Sequence, residues 1–397
     1  MRILVLSFYY RPDLSAGSFR TTALVAALRQ QVPADAQIDV VTTLPNRYAS
    51  FNSAAPEHET EGNVSITRIA IPAHRSDMLG QSRSFLHFAR AAARATRGIR
   101  YDLVYATSSR LMTAALGARL ARRARAPLYL DIRDIFVDTI GDVLRGPASP
   151  LVRVAFTGIE RMTINAATRV NFVSRGFEPY FASRYPGRRF SWFTNGIDEE
   201  FTVAPAGPAT RRTEGDLPLI LYAGNLGESQ ALHYVLPQLA RSLESRARFL
   251  VIGDGGRRDE LERALRSAGV TNVQMRAPVP RRELIEAYRS ADVLFLHLGN
   301  QPAFEKVLPS KLFEYGALGK PVLAGVGGFA AKFVGDEIRN AAVFAPCDAA
   351  GGVRAFESLT LQDTPRPEFI EKFHRANIAR EMAREIAALA AAGGKPA

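Results

Sequence analysis

The sequence predicts an α/β protein made of two doubly wound parallel-sheet domains in tandem. Three observations carry this. Short apolar runs of strand length alternate with stretches of helical spacing along most of the chain. The strands are apolar at successive positions, as expected where helices cover both faces of a parallel sheet. The alternation stops once, in "FTVAPAGPATRRTEGDLP", and then restarts. At 397 residues the chain is longer than one core usually serves. The expected organisation is a first domain over 1–200, a linker over 201–217, a second domain over 218–375, and a C-terminal helix over 376–397 that returns to the first domain.

In the first domain, "ILVLSFYY" reads as a buried strand, and "RPDLSAGS" leads from it into "FRTTALVAALRQ", apolar at helical spacing. "IDVVTT" and "VSITRIA" read as strands, and "SFLHFARAAARATRGI" is an arginine-striped helix. "DLVYATS", "PLYLDIRD" and "VNFVS" continue the strands, separated by the helices "LMTAALGARLARRA" and "LVRVAFTGIERMTINAATR". In the second domain the strands are "LILYAGNLG", "RFLVIGDGG", "VQMRAPVP", "ADVLFLHLG" and "PVLAGVGG", with helices between them. The stretch "EFIEKFHRANIAREMAREIAALAAAG" reads as helix throughout.

Composition narrows the class. Hydrophobic residues are 47% and charged residues 23%, which is globular and not disordered. A single cysteine, Cys347, excludes a disulfide framework and suits a reducing compartment. No apolar run reaches the roughly 18 residues that would span a bilayer. "MRILVLSFYYRPD" has Tyr9, Tyr10, Arg11 and Pro12 where a small-residue cleavage site would stand, so it reads as a first strand. The net charge is +12, and residues 1–190, with 26 arginines against 14 carboxylates, carry the whole excess. A one-sided positive field draws in anions: nucleic acid, anionic lipid or a phosphorylated substrate. Arg90, Arg94 and Arg97 fall on one helical face and form a candidate membrane or acceptor platform. A solvated surface is the plainer alternative.

Glycine-bearing turns between strand and helix mark candidate ligand sites, because doubly wound sheets bind ligands at their strands' carboxyl ends. Gly17 lies in such a turn, as do Gly224, Asn225 and Gly227 in "YAGNLGESQAL". Gly255 and Gly256 read as simple turn punctuation. In "PSKLFEYGALGKPVLAG", Pro309 and Ser310 start a helix, Lys311 sits in its first turn, and Glu314 follows one turn later. A cation there opposes the helix dipole unless an anion occupies the end. Lys311 and Glu314 therefore read either as an exposed i,i+3 pair or as ligands for a diphosphate and a ribose.

"PSKLFEYGALGKPVLA", "LYAGNLGESQAL", "FLVIGDG", "TNGID" and "SFYYRPDLSAGSFR" resemble the family-4 retaining glycosyltransferases of the GT-B fold. The nearest group is the bacterial O-antigen and capsule enzymes similar to fucosamine transferases. The resemblance implies two Rossmann-like domains facing across a cleft, the second binding a nucleotide-sugar and the first the acceptor. It puts the ribose-binding carboxylate on Glu314, and Ser310, Lys311 and Leu312 of the same segment are further donor-binding candidates, the first two for the phosphates. The base would face Arg276, Ala277, Pro278 and Val279, and the diphosphate would lie near Gly17 and the turn of Gly224, Asn225 and Gly227. It also implies hexosyl or N-acetylhexosaminyl transfer, with no resident cofactor and no metal, the nucleotide-sugar being a substrate. Implied partners are a donor, most simply a UDP-sugar, a lipid-diphosphate-linked glycan, and the anionic inner face of the cell membrane, with no nucleic acid. Two positions depart from the family pattern: Lys306 stands where the first of two paired glutamates falls, and Gln230 stands where many members place a lysine.

"YLDIRDIFVDTIG" offers Asp131 and Asp134 as catalytic candidates for orienting or deprotonating an acceptor hydroxyl. Asp138 and Asp142 read as capping or surface residues. The six histidines show no ligand spacing. The alternative functions are a UDP-sugar 2-epimerase of the same fold and a non-enzymatic binder of anionic polymers. The second lacks the aromatic–basic interleaving of nucleic-acid modules.

Overall fold

The computed structural model describes all residues except Leu14, 46–54, 73–77, 109–110, Phe136, 138–148, 203–214 and 394–397. Most of the expected linker, together with Asp138 and Asp142, lies outside the described residues. The chain divides into two compact units, Met1–Gly196 with Arg375–Ala397, and Ile197–His374.

The first unit is built on an eight-stranded sheet. In chain order its strands are β1 (Arg2–Leu6), β2 (Gln37–Thr43), β3 (His58–Glu61), β4 (Val64–Ile69), β5 (Leu103–Thr107), β6 (Leu128–Ile132), β7 (Arg169–Phe172) and β8 (Phe190–Ser191). Their order in the sheet is β3-β4-β2-β1-β5-β6-β7-β8. Every pairing is parallel except β3 with β4. The helices are α1 (Ala16–Gln31), α2 (Met78–Ala95), α3 (Leu111–Ala124), α4 (Ser149–Ala166) and α5 (Glu178–Arg184). Ser15 caps α1 by accepting from Ser18 N–H at 3.2 Å.

The second unit has β9 (Leu219–Asn225), β10 (Arg248–Asp254), β11 (Val273–Arg276), β12 (Val293–His297), β13 (Val322–Gly325) and β14 (Ala341–Phe344), all parallel, in the order β11-β10-β9-β12-β13-β14. Its helices are α6 (Leu232–Ser242), α7 (Arg258–Ala268), α8 (Arg281–Ser290), α9 (Lys311–Ala317), α10 (Gly328–Glu337), α11 (Ala349–Ser358) and α12 (Pro367–Phe373). Alternate strand residues feed two cores. Leu221, Ala223, Leu294 and Leu296 pack with α8, α9, α10 and α12, while Ile220, Tyr222, Val293 and Phe295 pack with α6, α7 and α11.

Three features differ from the expectation. The C-terminal helical stretch is broken at His374, whose extended backbone bridges to Ile197. The second piece, α13 (Arg375–Gly393), belongs to the first unit, where Met382, Ala383 and Ile386 pack with Leu24 and Leu28 of α1. β3, "HETE", carries too few apolar residues to stand out, and β14, "AAVF", is apolar but only four residues long. Gly255 is more than punctuation. A Cβ there would meet the backbone of Leu226 at 2.6 Å, so the glycine permits the turn after β9 to lie on the turn after β10.

Candidate functional site

The order of the second sheet places its switch point between β9 and β12, where a doubly wound sheet opens to ligands. Their ladder holds only Ile220 with Val293 and Leu221 with Leu294. Beyond that, the buried Tyr315 of α9 bridges the two strands. Its hydroxyl donates to Phe295 O at 3.3 Å and bonds the backbone of Ala223. Burial raises that hydroxyl well above its ordinary range, so it stays a donor.

The glycine turn is braced by its own polar groups. Tyr222 donates its hydroxyl to Asn225 O at 2.6 Å. Gln230 Oε1 accepts from Asn225 Nδ2 at 2.8 Å and from Gly227 N–H at 3.3 Å. The departure at Gln230 thus has a structural explanation: its amide closes the turn instead of carrying charge toward a ligand. His297, at the end of β12, is fully buried. Its Nδ1–H donates to Gln230 O at 2.7 Å, and its Nε2 accepts from Cys347 N–H at 2.9 Å. Burial lowers the imidazole to about 4, partly countered by the Gln230 bond, so it is neutral near pH 7.

Lys311 supplies the missing charge. Its side chain crosses the end of β9 and brings Nζ to 4.5 Å from the centre of the Tyr222 ring. Gly224 has φ +143°, which favours glycine, and a Cβ there would lie 2.0 Å from that Nζ, so the lysine could not keep its place beside a larger residue. Burial lowers the ammonium to about 8, with Glu314 pulling it back up. Glu314 is half-buried and within electrostatic reach of Lys311 and Arg281.

The rest of the expected donor set is less unified. Ser310 is half-buried and its hydroxyl makes no capping bond. Leu312 is not a ligand contact: its side chain is wholly in the core, and its N–H is spent on Pro309 O at 3.2 Å. Phe313 N–H likewise bonds Ser310 O, and α9 has only seven residues. Two N–H groups of this first turn are thus engaged within the chain, and the Lys311 side chain carries the charge there. Arg276, Ala277 and Pro278 are exposed and Val279 half-buried at the carboxyl end of the edge strand β11. Gly17 lies inside the first turn of α1, not in a loop, and a Cβ there would meet only ordinary contacts, the nearest at 3.7 Å.

Asp131 is also corrected. It is completely buried and takes Arg20 Nε at 2.8 Å and Nη2 at 3.0 Å, Tyr105 Oη at 2.9 Å and Asn171 Nδ2 at 2.7 Å. Burial works to raise its carboxyl, but Arg20 holds it below the usual range. Four donors and no exposed atom make it a structural counter-ion. Arg20 spends its remaining donors on Thr194 O and Phe193 O. Asp134, three residues on, is exposed. Arg90 and Arg94 of α2 and Arg97 just beyond it are all exposed. Among the described residues no helix is long and apolar enough to cross a membrane.

Comparisons with known proteins bear on the family of the chain. Residues 208–376 match the model of glycosyl transferases group 1, and residues 16–190 match that of the glycosyl transferase 4-like domain. The chain is a family-4-like glycosyltransferase of the GT-B fold. It is 26% identical over 338 residues, 80% of this chain and 82% of the relative, to WcaI of Escherichia coli (strain K12), assigned to colanic acid biosynthesis as a glycosyl transferase. Among solved structures, Anabaena HepE in complex with UDP and glucose aligns with TM-score 0.66 at 15% identity, covering 98% of this chain and 100% of that one. WaaG, a glycosyltransferase involved in lipopolysaccharide biosynthesis, aligns with TM-score 0.59 at 14% identity, covering 99% of this glycosyltransferase and 94% of WaaG.

Sequence reasoning missed Tyr222 as a part of the site, and it read His297 as packed or near the cleft and not as a ligand. Tyr222 sits in the middle of β9 and His297 at the end of β12, each inside an apolar run where an aromatic residue reads as core, and only the neighbouring turns reveal their polar work.

Proposed function

We propose that this glycosyltransferase moves a sugar, with retention, from a UDP-sugar to a lipid-diphosphate-linked glycan of a cell-surface polysaccharide. The observation that carries the proposal is the Lys311 ammonium lying over Gly224 and the Tyr222 ring at the open switch point. Lys311 stabilises the diphosphate as it leaves, a charge placed before the reaction begins. Glu314 accepts the ribose hydroxyls. Asp134, exposed where Asp131 is not, is the carboxylate available to an acceptor hydroxyl. The choice of UDP is supported by the HepE complex, and the acceptor class by the polysaccharide roles of WcaI and WaaG. Docking at the inner membrane face is supported by the exposed Arg90, Arg94 and Arg97, each worth about 1 kcal/mol near an anionic leaflet.

A thermal-shift panel of UDP-, GDP- and dTDP-sugars tests the donor, since a ligand of the native state raises its stability. The expected result is a rise with a UDP-sugar that Glu314→Ala abolishes. No rise with any nucleotide-sugar, or the same rise in Glu314→Ala, overturns the reading. Flotation with anionic vesicles tests the platform: Arg90→Glu/Arg94→Glu/Arg97→Glu is expected to leave the protein unbound.

A further inference from the structure

The proposed role of Lys311 leaves open what holds a flexible ammonium at one place on the strand end. We infer that Tyr222 is the positioning residue for the Lys311 ammonium, its ring holding the charge from below and its hydroxyl fixing the turn over which the charge must pass. This rests on the reading of Lys311 as the diphosphate ligand and deepens it.

The argument begins with register. Residues two apart on a strand project from the same face, so Tyr222 and residue 224 share one. Residue 224 has no side chain, and the Lys311 ammonium occupies the space that one would fill. It arrives from α9, whose core lies on the opposite face, and ends 4.5 Å from the ring centroid. That is within the distance at which an aromatic face attracts a cation, and the attraction grows where water is excluded. The Tyr222 ring is itself 1% exposed, so it cannot swing away. Its hydroxyl bonds Asn225 O at 2.6 Å and is 3.9 Å from the position of a Cβ on Gly224. Ring and hydroxyl thus act on the two ends of one arrangement: the first on the ammonium, the second on the backbone beneath it. A phenylalanine would do the first and a leucine neither.

The consequence is coupling. A tyrosine that merely filled the core would matter equally whatever stood at 311. A tyrosine that acts through the lysine matters only when the lysine is present. A double-mutant cycle separates the two. The probe is UDP, with inorganic pyrophosphate as a second probe carrying no base or ribose, both measured by calorimetry at pH 7. Lys311→Met is expected to weaken UDP about 30-fold. Tyr222→Leu is expected to weaken it about tenfold and Tyr222→Phe about threefold. In the Lys311→Met background both tyrosine substitutions are expected to change UDP affinity by less than twofold, and pyrophosphate should show the same pattern. Equal losses in both backgrounds overturn the inference, as does an unchanged affinity in folded Tyr222→Leu while Lys311→Met weakens binding. If Lys311→Met itself changes nothing, the reading of Lys311 fails instead, and the two failures are told apart. Because Tyr222 is in the core, near-ultraviolet circular dichroism checks each variant. If Tyr222→Leu does not fold, the threefold effect of Tyr222→Phe and its disappearance beside Lys311→Met decide the matter alone.

Discussion

Gly224 is the residue on which the proposed donor site turns. Gly224→Ala forces the Lys311 ammonium out of its place and strains a backbone at φ +143°. Donor affinity is expected to fall about as far as in Lys311→Met, while unfolding by urea shifts by no more than about 1–3 kcal/mol of backbone strain. The lysine also predicts a pH dependence. With its ammonium lowered to about 8, the charged form that attracts phosphate is lost as pH rises through that value. UDP affinity is expected to be flat from pH 7 to 7.5 and to decline above about 8, and calorimetry on Lys311→Met should show no such decline. Asp131 gives the opposite kind of prediction. Asp131→Ala leaves the Arg20 guanidinium buried without its counter-ion, which costs about 3–5 kcal/mol in urea unfolding. Donor binding by the fraction that remains folded should be unchanged, and a selective loss of turnover in a fully stable Asp131→Ala protein would restore it as a catalytic residue.

Among elements, the segment from β12 to the turn after β14 is held by one neutral imidazole. An unfolded histidine titrates near 6.5 and His297 near 4, so its contribution to stability is whole above about pH 6.5 and is lost as pH falls toward 4. Unfolding free energies from urea titrations at pH 7 and pH 5 should differ by about 2 kcal/mol more in the wild type than in His297→Gln. How legible these elements were in the sequence depends on how each is stabilised. Strands buried on both faces, such as β1, β6 and β12, announce themselves by continuous apolar runs. β3 does not, since an edge strand can be polar and still pair, and β14 is an apolar run of only four residues. The break at His374 was invisible because both flanks, "EFIEKF" and "RANIAREM", are good helix formers, and a tertiary bridge to Ile197 ends the first of them. Likewise "LYLDIRD" exposed a carboxylate pattern but not its burial. The partner that neutralises Asp131 is 111 residues away, and no local rule joins Arg20 to it. Lys311 and Glu314 were legible because a cation in a first helical turn violates a local preference, and such violations concentrate where ligands bind.

For the molecule as a whole, the division at Gly196 and Arg375 sets the terms of stability. The first unit needs α13, whose Met382, Ala383, Ile386 and Ala390 complete its core beside α1. A chain ending at His374 is expected to keep a second unit that unfolds cooperatively and to lose the first to aggregation or proteolysis, which limited trypsin digestion followed by mass spectrometry would reveal. Recovery of an intact, protease-resistant 1–196 fragment would contradict this. That dependence also fixes a sequence of events during synthesis. The ribosome delivers β1 to β8 first, yet the helix that closes their core emerges only after the whole second unit. The first unit must therefore wait, with one flank of its core open, while the whole second unit is made, so that the second can fold before the first is sealed.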